Sequence, residues 1–407
     1  MSPSRQPVCD TQRLRHAMEQ ARVDFILASS RRNVGWLVDH QTEHWTWEHA
    51  ILHMMEKEYD GQDYLVFAGF PRDPGKRTFL VEFAHREEAI RRRGVFADDY
   101  YGYWHKGRIP EITGDGLSLE QDWTRTSVEA AVQGIRDNGC DTGTIGVEWP
   151  RMSAAVLEEL RRLLPKAKFV DVFGMLFDLR QVKSAEEMRR FRRAYEVATD
   201  TYRRVFQQAG VGVTPQELLL TEMQSIYSQG CSFSFAHIFF GSGQHDIAFT
   251  PPADRAIEPG DLGLFDLGVV YEGYGTDYAR MAEVAPGNEK LRRYFPAILD
   301  GRKAIEQALR PGAKAGDVFL AGAKVLEEHG LAASISCLGH GIGIGCHEKP
   351  FLVANSEDRI EVGQTLVIEM YAEVKGLGPL LMEDGGYMTE EGWHSFSPLS
   401  TEILQLH

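Results

Sequence analysis

The sequence predicts a two-domain α+β protein, with a smaller α/β domain in front of a larger one rich in hairpins. Three observations carry that prediction. At 407 residues the chain exceeds what one ordinary hydrophobic core organises. Its first part alternates strand and helix patterns, as a layered α/β unit does. From Phe235 onward the pattern changes to strands divided by Gly-rich turns, with helices interposed.

In chain order, residues 13–21 read as a short helix and DFILAS (24–29) as a buried strand. TFLVEF (78–83), TIGVE (144–148) and KFVDVF (168–173) read as further strands, with a helical run at 153–164. The change of domain falls near residues 176–184, giving an N-terminal domain over 1–176 and a second over 177–407. Ser184 followed by Glu187 is a capping box, and Met188, Phe191, Tyr195, Ala198, Tyr202 and Val205 then recur at helical spacing. Two more helices are expected at about 289–308 and 315–329.

Hydrophobic content of 43% and charged content of 25% describe a globular chain. A net charge of -15 argues against a nucleic-acid groove, which needs clustered cations. The runs at Arg91–Arg93 and Arg189–Arg193 read as solvated helix faces. The N-terminus has no apolar core of a signal peptide, and no run of 18 apolar residues is long enough to span a membrane. The five cysteines match neither a zinc ribbon nor a disulfide framework, so a reducing cytoplasm is expected. Cys346 reads as a small buried thiol. HQTEHWTWEHAILH (40–53) gathers four histidines and two tryptophans at spacings that match no metal site, so core or interface aromatics are the expected use.

The chemistry concentrates in three stretches. LGLFDLGVVYEGYGTDYARM (262–281) reads as a hairpin; folded about Tyr271–Glu272 it sets Asp266 opposite Asp277. TLVIEMYAEVKGLGPLLMEDGGYM (365–388), folded about Gly376, sets Glu369 opposite Glu383. Facing carboxylates in apolar surroundings repel unless a cation or a proton lies between them. CLGHGIGIGCHEKPF (337–351) places His340 and His347 among glycines and isoleucines. Asp266, Asp277, His340, Glu369 and Glu383 are therefore candidate ligands for two divalent ions, or one; Mn, Fe, Co and Zn all suit the donor types. Such a site would activate water for attack on an amide or related C–N bond, with His347 stabilising the oxyanion and Glu369 shuttling the proton.

These motifs resemble those of the pita-bread metallopeptidases, which include methionine aminopeptidase, aminopeptidase P, prolidase and the metal-free creatinase. FDLGVVYEGYGTD resembles the family's two-aspartate hairpin, GHGIGIGCHEKPF its Gly-His-Gly loop, IEMYAEVKGLGPLLMED its two-glutamate hairpin, and DLRQVKSAEEMRRFRRA the linker that opens its catalytic domain. The resemblance is strongest over residues 179–392. It implies a pseudo-two-fold antiparallel sheet covered by helices, preceded by a smaller creatinase-like α/β domain. It implies a metallohydrolase like an Xaa-Pro aminopeptidase or dipeptidase, acting on a short peptide or small molecule, without nucleic acid or membrane, as a homodimer. By resemblance, Asp266, Asp277, His340, Glu369 and Glu383 bind two metal ions, Asp277 and Glu383 bridge them, and His347 contacts substrate. Loops of a partner's N-terminal domain would bring His44, Trp45 and Trp47 to the substrate pocket.

The chain departs from that pattern near the substrate. The histidine of the family's Pro-His-Tyr stretch falls on Phe249, with His245 or His237 as the replacement. Met370 and Leu381 stand where a proline and a basic residue are usual, which alters the expected substrate wall. A non-peptidase enzyme on the same fold, either a C–N hydrolase like creatinase or a lyase, is the second reading, and a non-catalytic binding module the third.

Overall fold

The computed structural model describes residues 7–40, 66–103, 125–241, 255–333 and 337–407. The chain divides into two compact units, Met1–Leu179 and Arg180–His407.

In the first unit a mixed sheet runs β4-β3-β2-β1-β5-β6, formed by β1 (Phe25–Ala28), β2 (Phe67–Pro71), β3 (Phe79–Phe83), β4 (Asp99–Tyr103), β5 (Thr144–Val147) and β6 (Lys168–Asp171). β1 is a continuous apolar run because it lies centrally, parallel to β5 and antiparallel to β2, with every residue buried. Helices α1 (Thr11–Gln20), α2 (Arg31–Val38), α3 (Glu87–Arg93), α4 (Ser127–Asp137), α5 (Ala154–Leu163) and α6 (Phe173–Leu179) accompany it. α4 lays Val128, Ala131, Val132 and Ile135 into a core shared with Phe25, Phe67 and Phe79. His40 is buried against Glu82 at 3.1 Å; the remainder of the histidine- and tryptophan-rich segment, with His44, Trp45 and Trp47, lies outside the described residues.

The second unit repeats one plan twice: two helices, then strands. α7 (Ala185–Gln208) and α8 (Pro215–Ser228) precede β7 (Ser232–Gly241), β8 (Leu262–Tyr271), β9 (Tyr274–Gly275) and β10 (Ala279–Val284). α9 (Glu289–Ala308) and α10 (Ala315–Glu328) precede β11 (Cys337–Gly341), β12 (Glu348–Val353), β13 (Thr365–Val374) and β14 (Gly378–Thr389). One sheet joins the halves in the order β12-β11-β13-β14-β10-β8-β7. Each helix pair covers its own half, α7 and α8 on β8 and β7, α9 and α10 on β13 and β12. The halves meet where Ala279 of β10 pairs with Glu383 of β14. β15 (Gly392–Ser395) and β16 (Leu404–Leu406) add to β14 and β10.

Local signals explain the borders. Ser184 Oγ accepts from Glu187 N, and the Glu187 carboxylate accepts from Ser184 N, so the expected capping box starts α7. The arginine-rich face of α7 differs from expectation at Arg190, which is buried; its Nε lies 2.9 Å from Glu186 and 3.2 Å from Glu272, and its guanidinium lies over the Tyr274 ring. A buried guanidinium is stable there because carboxylates meet it. Among the described residues no helix is long and apolar enough to cross a membrane.

Ser184→Ala removes one half of the cap. The urea midpoint of the second unit should fall by the equivalent of about 1 kcal/mol; an unchanged midpoint would mean the cap does not hold this end of α7.

Candidate metal centre

The β13–β14 ladder runs without a break from Thr365↔Tyr387 to Val374↔Gly378, and it sets Glu369 opposite Glu383 as the sequence argument requires. The other hairpin differs. Tyr271 pairs with Tyr274, so the tip is Glu272–Gly273, both with positive φ (45° and 86°), a primed turn that follows the strand twist. Asp266 consequently faces Ala279, and Asp277 is not its cross-strand partner. Between Gly275 and Ala279 the ladder opens: Thr276 Oγ1 accepts from Val269 N, and Leu267 N donates to Tyr278 O. Asp277 sits in this opening. Its side chain still reaches Asp266, because oxygens of Asp266, Asp277 and Glu383 lie within 4.8 Å of one another.

His340 comes from β11, between Phe351 of β12 and Val367 of β13. Gly339, at φ +148°, and Gly341 let the strands close on it; a Cβ would stand 2.4 Å from Val367 O at the first and 2.1 Å from Lys349 O at the second. His340 Nδ1 lies 2.9 Å from Gly341 O. Donation there fixes the tautomer and turns the Nε2 lone pair inward, 3.4 Å from Asp277 and 3.8 Å from Glu369. His347 is exposed, its ring 4.0 Å from that of His340. Ligand atoms of Asp277, His340 and His347 form a second group within 4.8 Å, so Asp277 belongs to both groups.

The electrostatics are those of a cation site. Burial pushes the Asp266 and Glu383 carboxyls well above the usual range, and neighbouring carboxylates push the same way. Burial also lifts Glu369, to about 7. Asp277 feels burial too, but His340 beside it outweighs that and holds it below its ordinary value. His340 is raised: burial opposes its charge, and Asp277 favours it more strongly. Asp266 Oδ1, Glu383 Oε2 and His340 Nε2 are buried with no hydrogen-bond partner. Leaving three such atoms unmatched costs roughly 1–3 kcal/mol each. A divalent ion bound by oxygen and imidazole donors would satisfy all three, so the residues fit the expected group.

Other expected residues fall in several places. His237 of β7 pairs directly with Asp266, which brings it to the edge of the cluster. Burial lowers its pKa while Asp277 pulls it upward. His245 and Phe249 lie outside the described residues. Leu381 pairs with Tyr371 beside the two glutamates. Met370 does not wall the site: side chains alternate along β13, and Met370 is fully buried on the helix side, where a Cβ at Gly301 of α9 would meet its Cε at 2.4 Å. Cys346, expected as a small buried thiol, is only partly buried, and its Sγ donates to Asp277 Oδ2 at 3.3 Å, a contact whose only signal in the sequence is its position next to His347. Burial pushes that thiol far up, so it stays protonated.

Comparison with known proteins agrees with this geometry. The model of metallopeptidase family M24 matches residues 189–396, just over half of the chain. The chain is 25% identical to an Xaa-Pro dipeptidase of Lactobacillus helveticus over 353 residues, covering 83% of this chain and 90% of the relative. Its fold is similar to that of prolidase from Thermococcus sibiricus (TM-score 0.77, 16% identity, 99% and 100% of the two chains covered). The N-terminal domain of FACT complex subunit SPT16 from chickpea shares the fold as well (TM-score 0.64, 14% identity, 98% of each chain covered). The larger unit thus has the pita-bread fold.

The raised carboxyls give a pH signature. Glu369 holds its proton up to about 7 in the folded chain but only to about 4.5 when unfolded. Between those values the folded state binds more protons, so the metal-free protein should lose stability as pH rises through that window. Added Mn²⁺ should reverse the loss and release protons. Thermal melts across pH, with and without Mn²⁺, check this; a metal-free protein whose stability rises steadily over the window would contradict it.

Proposed function

The chain belongs to metallopeptidase family M24, and from that premise we propose that it is a divalent-metal-dependent peptidase that cleaves short Xaa-Pro peptides. The observation that carries the reading is the grouping of Asp266, Asp277 and Glu383 within 4.8 Å, with His340 3.4 Å from Asp277 and three buried donor atoms of these residues left without partners. Asp266, Asp277, His340, Glu369 and Glu383 would hold the ions. Divalent ions, when bound, supply Lewis acidity that polarises a carbonyl and acidifies water. Mn, Fe, Co and Zn all suit this donor set.

The remaining steps belong to side chains. The Glu369 side chain is 17% exposed, against 6% for Asp277. Partly open beside the ions, its carboxylate would take a proton from the attacking water and return it to the leaving nitrogen. His347 stands exposed beside His340, where its N–H donates to the oxygen on which negative charge develops. His237, opposite Asp266, would meet substrate from the β7 side. A homodimer in a reducing cytoplasm completes the reading; all five cysteines are free thiols, which suits that compartment.

Phe249, at the position of the family's Pro-His-Tyr histidine, favours the second reading, a non-peptidase reaction on the same fold. A panel of Xaa-Pro dipeptides assayed with Mn²⁺ separates the two. At least one should turn over, and silence from a fully loaded enzyme would favour the alternative. Elemental analysis should find one or two transition ions per chain, lost in Asp266→Ala. His347→Ala should lower kcat by about 10²–10³-fold with metal content unchanged; a wild-type rate would remove His347 from the reaction.

A further inference from the structure

His347 lies on a short loop with glycines at 341, 343 and 345, a sequence with little stiffness of its own. Its ring is nevertheless held 4.0 Å from His340. We propose that a buried ionic clamp, Arg180 and Lys183 on Glu348, positions His347 for the reaction proposed above, and the inference rests on that reading only for its kinetic arm.

Glu348 follows His347 directly and is 1% exposed. Its Oε1 accepts from Gly345 N at 2.9 Å and meets Arg180 Nη2 at 3.0 Å. Its Oε2 is 3.5 Å from Lys183 Nζ. A Cβ at Gly343 would stand 2.2 Å from Oε2, so the carboxylate packs inside the loop, against its backbone. The cations are themselves anchored. Lys183 Nζ donates to Arg180 O and Gln181 O, and Lys183 N donates to Gly363 O at 2.9 Å. On the other side Gly275 N donates to Gly343 O, and Thr365 Oγ1 to Ile342 O. Nearby Glu187, bonded by Tyr274 OH at 2.9 Å, supplies the second carboxyl in a cluster with two cations.

Buried ion pairs contribute little net stability compared with apolar packing, but breaking one leaves an uncompensated charge and lets its neighbours move. Here the neighbour that moves is the loop carrying His347. Arg180 and Glu348 are positioning residues: they act through His347 and touch no reacting atom.

The test uses the full chain loaded with Zn²⁺ and carbon-13-labelled histidine. The His347 ring signal is identified by its loss in His347→Asn. In Glu348→Gln and in Arg180→Lys that signal should shift or split, while the His340 signal and zinc stoichiometry stay as in the wild type. On a dipeptide the wild type cleaves, kcat should fall about 10- to 100-fold at near-constant KM. An unmoved His347 signal in both variants overturns the clamp. Loss of the His340 signal and zinc overturns it too, because the cluster would then be holding the fold. If the wild type cleaves no dipeptide, the peptidase reading fails while the NMR comparison still decides the clamp.

Discussion

Four carboxylates and one imidazole converge where the two halves of the larger sheet meet, and their mutual repulsion is the constraint on which the rest depends. Burial and like charge push Asp266, Glu369 and Glu383 upward, and only Asp277, beside His340, is held down. Such a cluster is stable when protons or a cation lie within it. The fold must therefore keep it rigid against its own repulsion.

The sheet does this with buried charge on the other side of the junction. Arg280 donates through Nη1 to Glu383 O and through Nη2 to Asp384 Oδ1, both at 2.7 Å. Arg302 of α9 meets the second oxygen of Asp384 at 3.1 Å. Asp384 thus ties β14 to β10 and to a covering helix one residue from the candidate ligand Glu383. On the first half, Tyr202 of α7 donates to the carbonyls of Phe265 and Tyr278, the neighbours of Asp266 and Asp277. In each half a helix fixes the backbone beside a carboxylate. The duplicated plan thereby delivers the pieces of one site from two sides.

Fold alone does not establish chemistry, because the same architecture serves proteins of different kinds, a dipeptidase-like prolidase and a FACT subunit domain among those similar to this chain. The functional reading rests instead on the donor atoms and on the family match. The chain's departures from the family pattern, Phe249 and Leu381 among them, spare the five candidate ligand residues. On the proposed reading, that division separates what activates the reaction from what selects the molecule it acts on.

Residue identity and regular periodicity were enough to find part of the elements, the strands at 25–28, 79–83, 144–147 and 168–171 and the helices at 154–163, 185–208, 289–308 and 315–328 among them, and to name a candidate donor set. The Glu369–Glu383 pair was legible because its ladder is unbroken, so counting from the turn gives the register. Counting failed for Asp266 and Asp277, since the two-residue primed turn at Glu272–Gly273 sets Asp266 opposite Ala279, two residues beyond Asp277, and only the folded backbone shows that Asp277 still reaches the cluster. Met370 was misplaced for a related reason: adjacency to Glu369 in sequence means opposite faces in a strand. The contact of Lys183 with Glu348 joins residues 165 positions apart, and no local pattern encodes it. The sequence by itself determined which chemical groups were available and on which elements. Tertiary structure decided which of them meet, because like-charged and buried groups are brought together only by long-range strand pairing and helix packing.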